Sequence, residues 1–248
     1  MSAIYILWLR QIKRYLRSRA RLIGSLGQPI LFLLALGFGF GPIFQKAGGG
    51  NYIQFLAPGI IAMSILFTAL FTGIEIIWDR QFGFLKETFV APVSRTRIVL
   101  GRTLGGATVA VIQGLIVFGL THLVGFRMTN YYYLLPAFLV MFLIALMFTG
   151  LGTAIASVLE DMQGFQLIMN FLVMPIFFFS GALFPLDNLP TALSIVAAAD
   201  PLSYGVDALH YLFTGSAHFG IGFDMTIICC STLIIVSAAI YLFSKIRL

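Results

Sequence analysis

Asp207, His210, His218 and Asp224 are of the types that hold metal ions, and they gather in one stretch of the chain. Their spacing matches no compact ligand pattern, and polar residues scattered on an outer surface account for them more simply. Ser64, Thr68 and Thr72 recur at every fourth position, so a helix would carry them as one hydroxyl stripe, continued a turn later by Glu75. Such a stripe can line a pathway, or its hydroxyls can bond to their own helix or a neighbour. The sequence has no His-Glu-x-x-His, no Gly-x-Ser-x-Gly and no paired-carboxylate motif. The glycines at Gly37, Gly39 and Gly41 follow an apolar run and lack the Gly-Lys-Ser/Thr ending of a phosphate-binding loop. Cys229 and Cys230 are adjacent, which suits a disulfide poorly. The expectation is a chain with no catalytic residue, no metal and no cofactor of its own.

What positions these residues follows from composition. Of 248 residues, 60% are hydrophobic and only 10% charged, far below the roughly 25% of soluble domains. A hydrocarbon core about 30 Å thick needs about 20 apolar residues of helix. Six stretches without Asp, Glu, Lys or Arg meet that length, and they predict spans at about 23–44, 54–77, 103–125, 133–158, 166–184 and 224–244. The alternating ten-residue segments of a transmembrane barrel are absent. The first apolar run is too long for a cleaved signal peptide and leads into a glycine-rich turn, so it reads as a permanent span. An ion-coupled transporter would bury ionisable groups at mid-membrane, whereas Glu75 and His122 fall near span ends.

The formal charge of +6 could suggest nucleic acid, but its distribution argues for topology instead. Arg10, Lys13, Arg14, Arg17, Arg19 and Arg21 precede the first span, Arg80, Lys86, Arg95, Arg97 and Arg102 separate spans two and three, and Lys245 and Arg247 follow the last. Only Lys46 and Arg127 fall on the other side. The positive-inside rule places both termini in the cytoplasm of a multi-pass protein of the cytoplasmic (inner) membrane, with no nucleic-acid partner.

Ile4, Leu7, Trp8, Ile12, Tyr15 and Leu16 lie at helical spacing opposite Arg10, Lys13, Arg14 and Arg17, the pattern of an interfacial amphipathic helix within 1–22 that can hold to the bilayer without a protein partner. Between spans two and three, Phe82, Phe84, Leu85, Phe89 and Val90 are interleaved with Asp79, Arg80, Lys86 and Glu87 before Pro92. So many large apolar groups on a cytoplasmic segment suit either partner docking or burial in headgroups. Gly37 with Gly41, and Gly101 with Gly105, have the small-xxx-small spacing of close helix packing. Tyr131, Tyr132 and Tyr133 suit an outer aromatic belt. Residues 185–222 hold an apolar stretch too short to cross, bounded by Pro185, Pro190 and Pro201, which reads as an outer re-entrant hairpin. The fold class is therefore an all-α membrane protein: an N-terminal interfacial helix, then a six-span domain over 23–248 with an outer re-entrant hairpin before the last span.

Phe55-Leu56-Ala57-Pro58-Gly59, Phe82-Gly83-Phe84-Leu85-Lys86-Glu87-Thr88 running to Val90-Ala91-Pro92-Val93-Ser94-Arg95, and Phe179-Ser180-Gly181-Ala182-Leu183-Phe184-Pro185 stand in register with those spans. Together they resemble the ABC-2 type permeases of ABC transporters, nearest to the daunorubicin-resistance branch of small-molecule and multidrug exporters. The resemblance covers nearly the whole chain. It implies a homodimer in the lipid bilayer that binds two copies of a separate ABC ATPase subunit, with ATP and Mg on that subunit. It also implies that 4–19 is a connecting helix (Trp8, Arg10, Lys13, Arg14, Arg17) and that Arg80, Phe82, Phe84, Leu85, Lys86 and Glu87 form the segment seated in the ATPase. Asp200-Pro201 stands where the family usually has Asn-Pro. Phe67, Phe71, Met174 and Phe178 are the expected pathway lining. The expected cargo is an amphipathic drug, small molecule or lipid-linked compound. The alternatives are polysaccharide or lipo-oligosaccharide export, a non-transporting scaffold, and an ion-coupled transporter.

Overall fold

The computed structural model describes residues 3–46, 50–90, 92–187 and 189–246, without the Arg21 side chain. Ala91 of the motif and Arg247 of the basic set lie outside the described residues. The helices are α1 (Ala3–Arg17), α2 (Arg19–Lys46), α3 (Tyr52–Phe71), α4 (Ile74–Gln81), α5 (Phe84–Val90), α6 (Arg95–Val124), α7 (Leu134–Val158), α8 (Met162–Phe179), α9 (Thr191–Ala199), α10 (Pro201–Thr214) and α11 (Ile221–Ser244), with a single 3-10 turn at Tyr131–Tyr133. Among the described residues six helical stretches are long and apolar enough to cross a membrane: Leu22–Lys46, Tyr52–Gln81, Arg95–Val124, Tyr131–Val158, Met162–Phe179 and Ile221–Ser244. The all-α, six-span expectation is met.

Burial shows which of these form the centre. The α3–α4 stretch is 72% buried, whereas the first, fifth and sixth are 17%, 22% and 22% buried. Helices α3, α6 and α7 pack pairwise into a central group; α2 and α8 lean on α3, and α11 lies along α7. The outer helices expose large apolar side chains such as Leu31, Phe38, Phe171 and Leu233, as lipid-facing surfaces do. Small residues permit the central contacts. A Cβ on Gly73 would overlap the carbonyl of Gly152, and one on Gly152 would overlap that of Leu70.

Several expectations are corrected. The glycine-rich turn after the first span does not exist: α2 runs unbroken through Pro29, Gly37, Gly39, Gly41 and Pro42 to Lys46. Hydrocarbon offers no water to backbone groups freed by a break, so a helix persists through residues that would end it in solution. The same holds for α8 through Pro175. Span two stays helical too: Thr72 and Gly73, between α3 and α4, keep right-handed helical dihedrals and tighten to bonds with Ala69 and Leu70, three residues back. The outer hairpin is a pair of short helices, α9 and α10, and Asp200 caps α10 by accepting the Leu202 N–H at 2.9 Å. An Asn would cap the same turn, so the departure from Asn-Pro preserves its geometry.

Candidate functional site

One end of the molecule gathers α1, α4, α5, the start of α6 and the end of α11. Helix α1 lies on α6, where Gly101 and Gly105 admit the backbone of Ile4 and Trp8 and the side chains of Leu7 and Gln11. The small-residue pair therefore serves the N-terminal helix, not a second span. The Trp8 indole donates to the Thr108 hydroxyl at 3.0 Å, and the Tyr15 hydroxyl donates to the Gln113 side-chain oxygen. This interfacial helix thus has a protein partner along its length.

Its basic face meets α4. Arg10 pairs with Asp79 at 3.2 Å and Arg14 with Glu75 at 3.4 Å. Each pair of like charges is separated by one helical turn, and the order is reversed between the helices, so the contact is an antiparallel charge ladder. Asp79 also accepts from Arg102 of α6, which is itself buried. Although it falls near a span end, Glu75 is only 2% exposed. Burial of its charge is compensated by an arginine supplied from α1. Lys13 and Arg17 remain exposed on the far face of α1.

Helix α4 leads into α5 through Gly83, whose φ of +78° requires glycine or a strained residue. The six residues singled out here divide sharply. Leu85 is fully buried, an anchor that no partner could touch. Arg80 reaches the turn after α7, pairing with Glu160 at 3.4 Å and donating to the Leu159 carbonyl at 3.4 Å. The Phe84 ring lies under the Arg10 guanidinium at 3.9 Å. Phe82, Lys86 and Glu87 face outward, joined by Val90, and Phe82 and Val90 are 80% and 87% exposed. At the same end, Arg95 donates to the carbonyls of Ser244 at 2.5 Å and Ile246 at 3.0 Å, tying the end of α11 to the start of α6.

Two cavities flank α2. A volume of about 350 Å³ between the end of α1, α2 and α3 is lined by Phe67 and Phe71 and by the hydroxyl stripe Ser64, Thr68 and Thr72. A separate groove of about 430 Å³ toward the other end is lined by Phe178 with Leu36, Phe40 and Pro185. Met174 stands exposed on α8 and lines neither. The four aromatic and methionine candidates are thus not brought together within one chain.

At the opposite end, polar residues hold loops in place. Asp207 accepts the backbone N–H of His218 and of Phe219, each at 2.7 Å, and His218 Nδ1 lies 2.8 Å from Asp187. His210 Nε2 bonds the Phe55 carbonyl at 2.8 Å, and burial holds its imidazole below the ordinary range. Among the described residues no three His, Cys, Asp or Glu side chains converge as metal ligands. Burial pushes the Asp200 carboxyl up to about 7 despite its bond to Leu202.

A family profile described as ABC-2 type transporter matches residues 2–214. The chain belongs to the ABC-2 type transporter family. Members are membrane transport components. The ABC-2 chain is 31% identical over 215 residues to "Nodulation protein J" of Rhizobium leguminosarum bv. trifolii, covering 85% of this chain and 78% of that one. It is 28% identical over 224 residues to "Putative transport permease ycf38" of Cyanophora paradoxa, covering 88% and 76%.

The charge ladder of this ABC-2 chain is the feature that reading the sequence missed. Its signal was present: Arg10 and Arg14, and Glu75 and Asp79, are each four residues apart. Opposite charges at matched helical spacing can pair along two antiparallel helices.

Proposed function

We propose that this chain is the permease subunit of an ATP-binding-cassette exporter that moves an amphipathic drug, small molecule or lipid-linked compound out of the cytoplasm. Two copies form a homodimer in the inner membrane, with both termini cytoplasmic, and each seats one separate ATPase subunit carrying ATP and Mg. The observation that carries this reading is α5, a helix too short to span, anchored inward by Leu85 and presenting Lys86, Glu87 and Val90 outward, with Phe82 exposed just before it at the end of α4. Large exposed apolar groups mixed with charges suit a partner that covers them.

The geometry supports a route for force. Closure of the paired ATPases would press on α5; α4 follows it directly and is clamped to α1 and α6 by Asp79 and Glu75. The tightened turn at Thr72 and Gly73 is where that clamped unit would bend against α3, a two-state movement of the hinge type. Transport then runs along the faces of α2 and α8 that the single chain leaves largely uncovered, at the interface between copies.

Purifying the tagged chain from its native membrane in mild detergent tests this. A stoichiometric ATPase should co-purify and hydrolyse ATP, and Phe82→Ala with Val90→Asp should release it. A chain isolated repeatedly without an ATPase, yet moving solutes into vesicles that lack ATP, would sink the proposal in favour of ion coupling.

A further inference from the structure

We infer that the cavity between α2 and α3 is a binding site for an uncharged amphiphile whose polar part presents O–H or N–H donors. This deepens the exporter reading by naming the chemical class of cargo, and it rests on that reading for its biological sense.

The lining residues include no Asp, Glu, Lys, Arg or His. A cationic or anionic headgroup placed there would be desolvated without a counter-charge, which costs far more than an unpaired neutral group. Three of the four lining Ser and Thr hydroxyls are also biased in what they offer. Ser25 donates to Leu22 O at 3.1 Å, Ser64 to Ile61 O at 2.9 Å and Thr72 to Ala69 O at 2.6 Å. With each proton turned back onto its own helix, the oxygens keep lone pairs for an incoming donor. The Gln28 amide adds an acceptor and two donors at the α2 wall. Phe67 and Phe71 lie nearly parallel with centroids 6.5 Å apart, a flat apolar wall beside the hydroxyl stripe. Neutral acceptors on one wall and aromatic faces beside them match a molecule with hydroxyl or amide groups joined to an apolar body. The volume of about 350 Å³ accommodates a headgroup and the start of a chain, within the range of small-molecule sites.

Trp78 lines this cavity, and the chain has only 2 tryptophans, so a Trp8→Phe background makes Trp78 the sole reporter. The purified chain in phosphatidylcholine nanodiscs is titrated with a bromine-labelled monoacylglycerol, and with the fatty amine and fatty acid of the same labelled chain. The monoacylglycerol should quench Trp78 saturably, at a concentration at least roughly tenfold below the two charged probes. Thr68→Phe should remove the saturable part, and Ser64→Ala with Thr72→Val should weaken it several-fold with the melting temperature held. If Thr68→Phe fails to give a monodisperse protein, Thr68→Val reads the same hydroxyl, with a several-fold loss expected. Equal quenching by all three probes, meaning simple partition from the bilayer, overturns the inference; so does saturable quenching that survives loss of the stripe. No ATPase is needed, so failure to co-purify one would remove the exporter reading and leave this result standing.

Discussion

The backbone of Gly59 in α3 lies against the carbonyl of Ala182, so closely that a Cβ on Gly59 would overlap it. Two segments of the family resemblance, around Pro58-Gly59 and Gly181-Ala182, therefore meet in space. Gly59→Ala forces a shift of backbone, and an over-packed core loses about 1–3 kcal/mol. Thermal unfolding of the detergent-solubilised chain should show the loss, whereas Gly39→Ala, which meets open space, should leave the midpoint unchanged.

Asp79→Ala should be the most damaging change at the charge ladder. It leaves the buried Arg102 without its counter-charge, a situation that costs about 3–5 kcal/mol. Arg10→Ala removes a partner that is 34% exposed, and roughly 1 kcal/mol is expected. Melting curves for the two single variants and the double variant check this, and the double variant should be no worse than Asp79→Ala alone.

Leu85 and Phe82 should behave oppositely although they are near neighbours. Leu85→Ala opens a cavity in a fully buried position and should cost roughly 2–5 kcal/mol, lowering yield and melting temperature. Phe82→Ala should leave both unchanged and instead reduce recovery of the ATPase on a tagged permease. Loss of fold with Phe82→Ala would mean that its exposed ring makes a structural contact and would count against a docking role.

The end that carries α9 and α10 should be sensitive to pH through Asp200. Its carboxyl is raised by burial from 3.8 to about 7 in the folded chain, so the folded state holds a proton that the unfolded state releases. The resulting stability is fully present at pH below about 4 and is lost as pH rises toward and through about 7. Asp200→Asn keeps the cap on Leu202 and removes the titration. Melting temperatures measured across that window should fall with pH in the wild type more steeply than in the variant.

Much of this architecture was legible because bilayer thickness converts directly into run length, and charge-free runs are visible by inspection. The N-terminal amphipathic helix and the segment before Pro92 were equally plain from their periodicity. What stayed hidden depended on packing between distant segments. The opposite fates of Leu85 and Phe82 are invisible to hydrophobicity, which is high for both. Glu75 looked accessible because its partner, Arg14, arrives from another helix. The glycines of α2 misled for a different reason, since their helix-breaking tendency is a property measured in water.

Among its described residues, helix α2 buries Pro29, Leu33 and Gly37, three residues on one narrow line. In water, peeling away such a helix would expose its apolar surface to solvent. In a bilayer, acyl chains replace the lost neighbours, and the cost is the difference between protein packing and lipid packing along that line and at the flanking Leu26, Phe32, Leu36 and Phe44. The wall of the cavity nearest the lipid is thus its most easily displaced part, and molecules dissolved in the membrane can reach the hydroxyl stripe sideways without first passing through water.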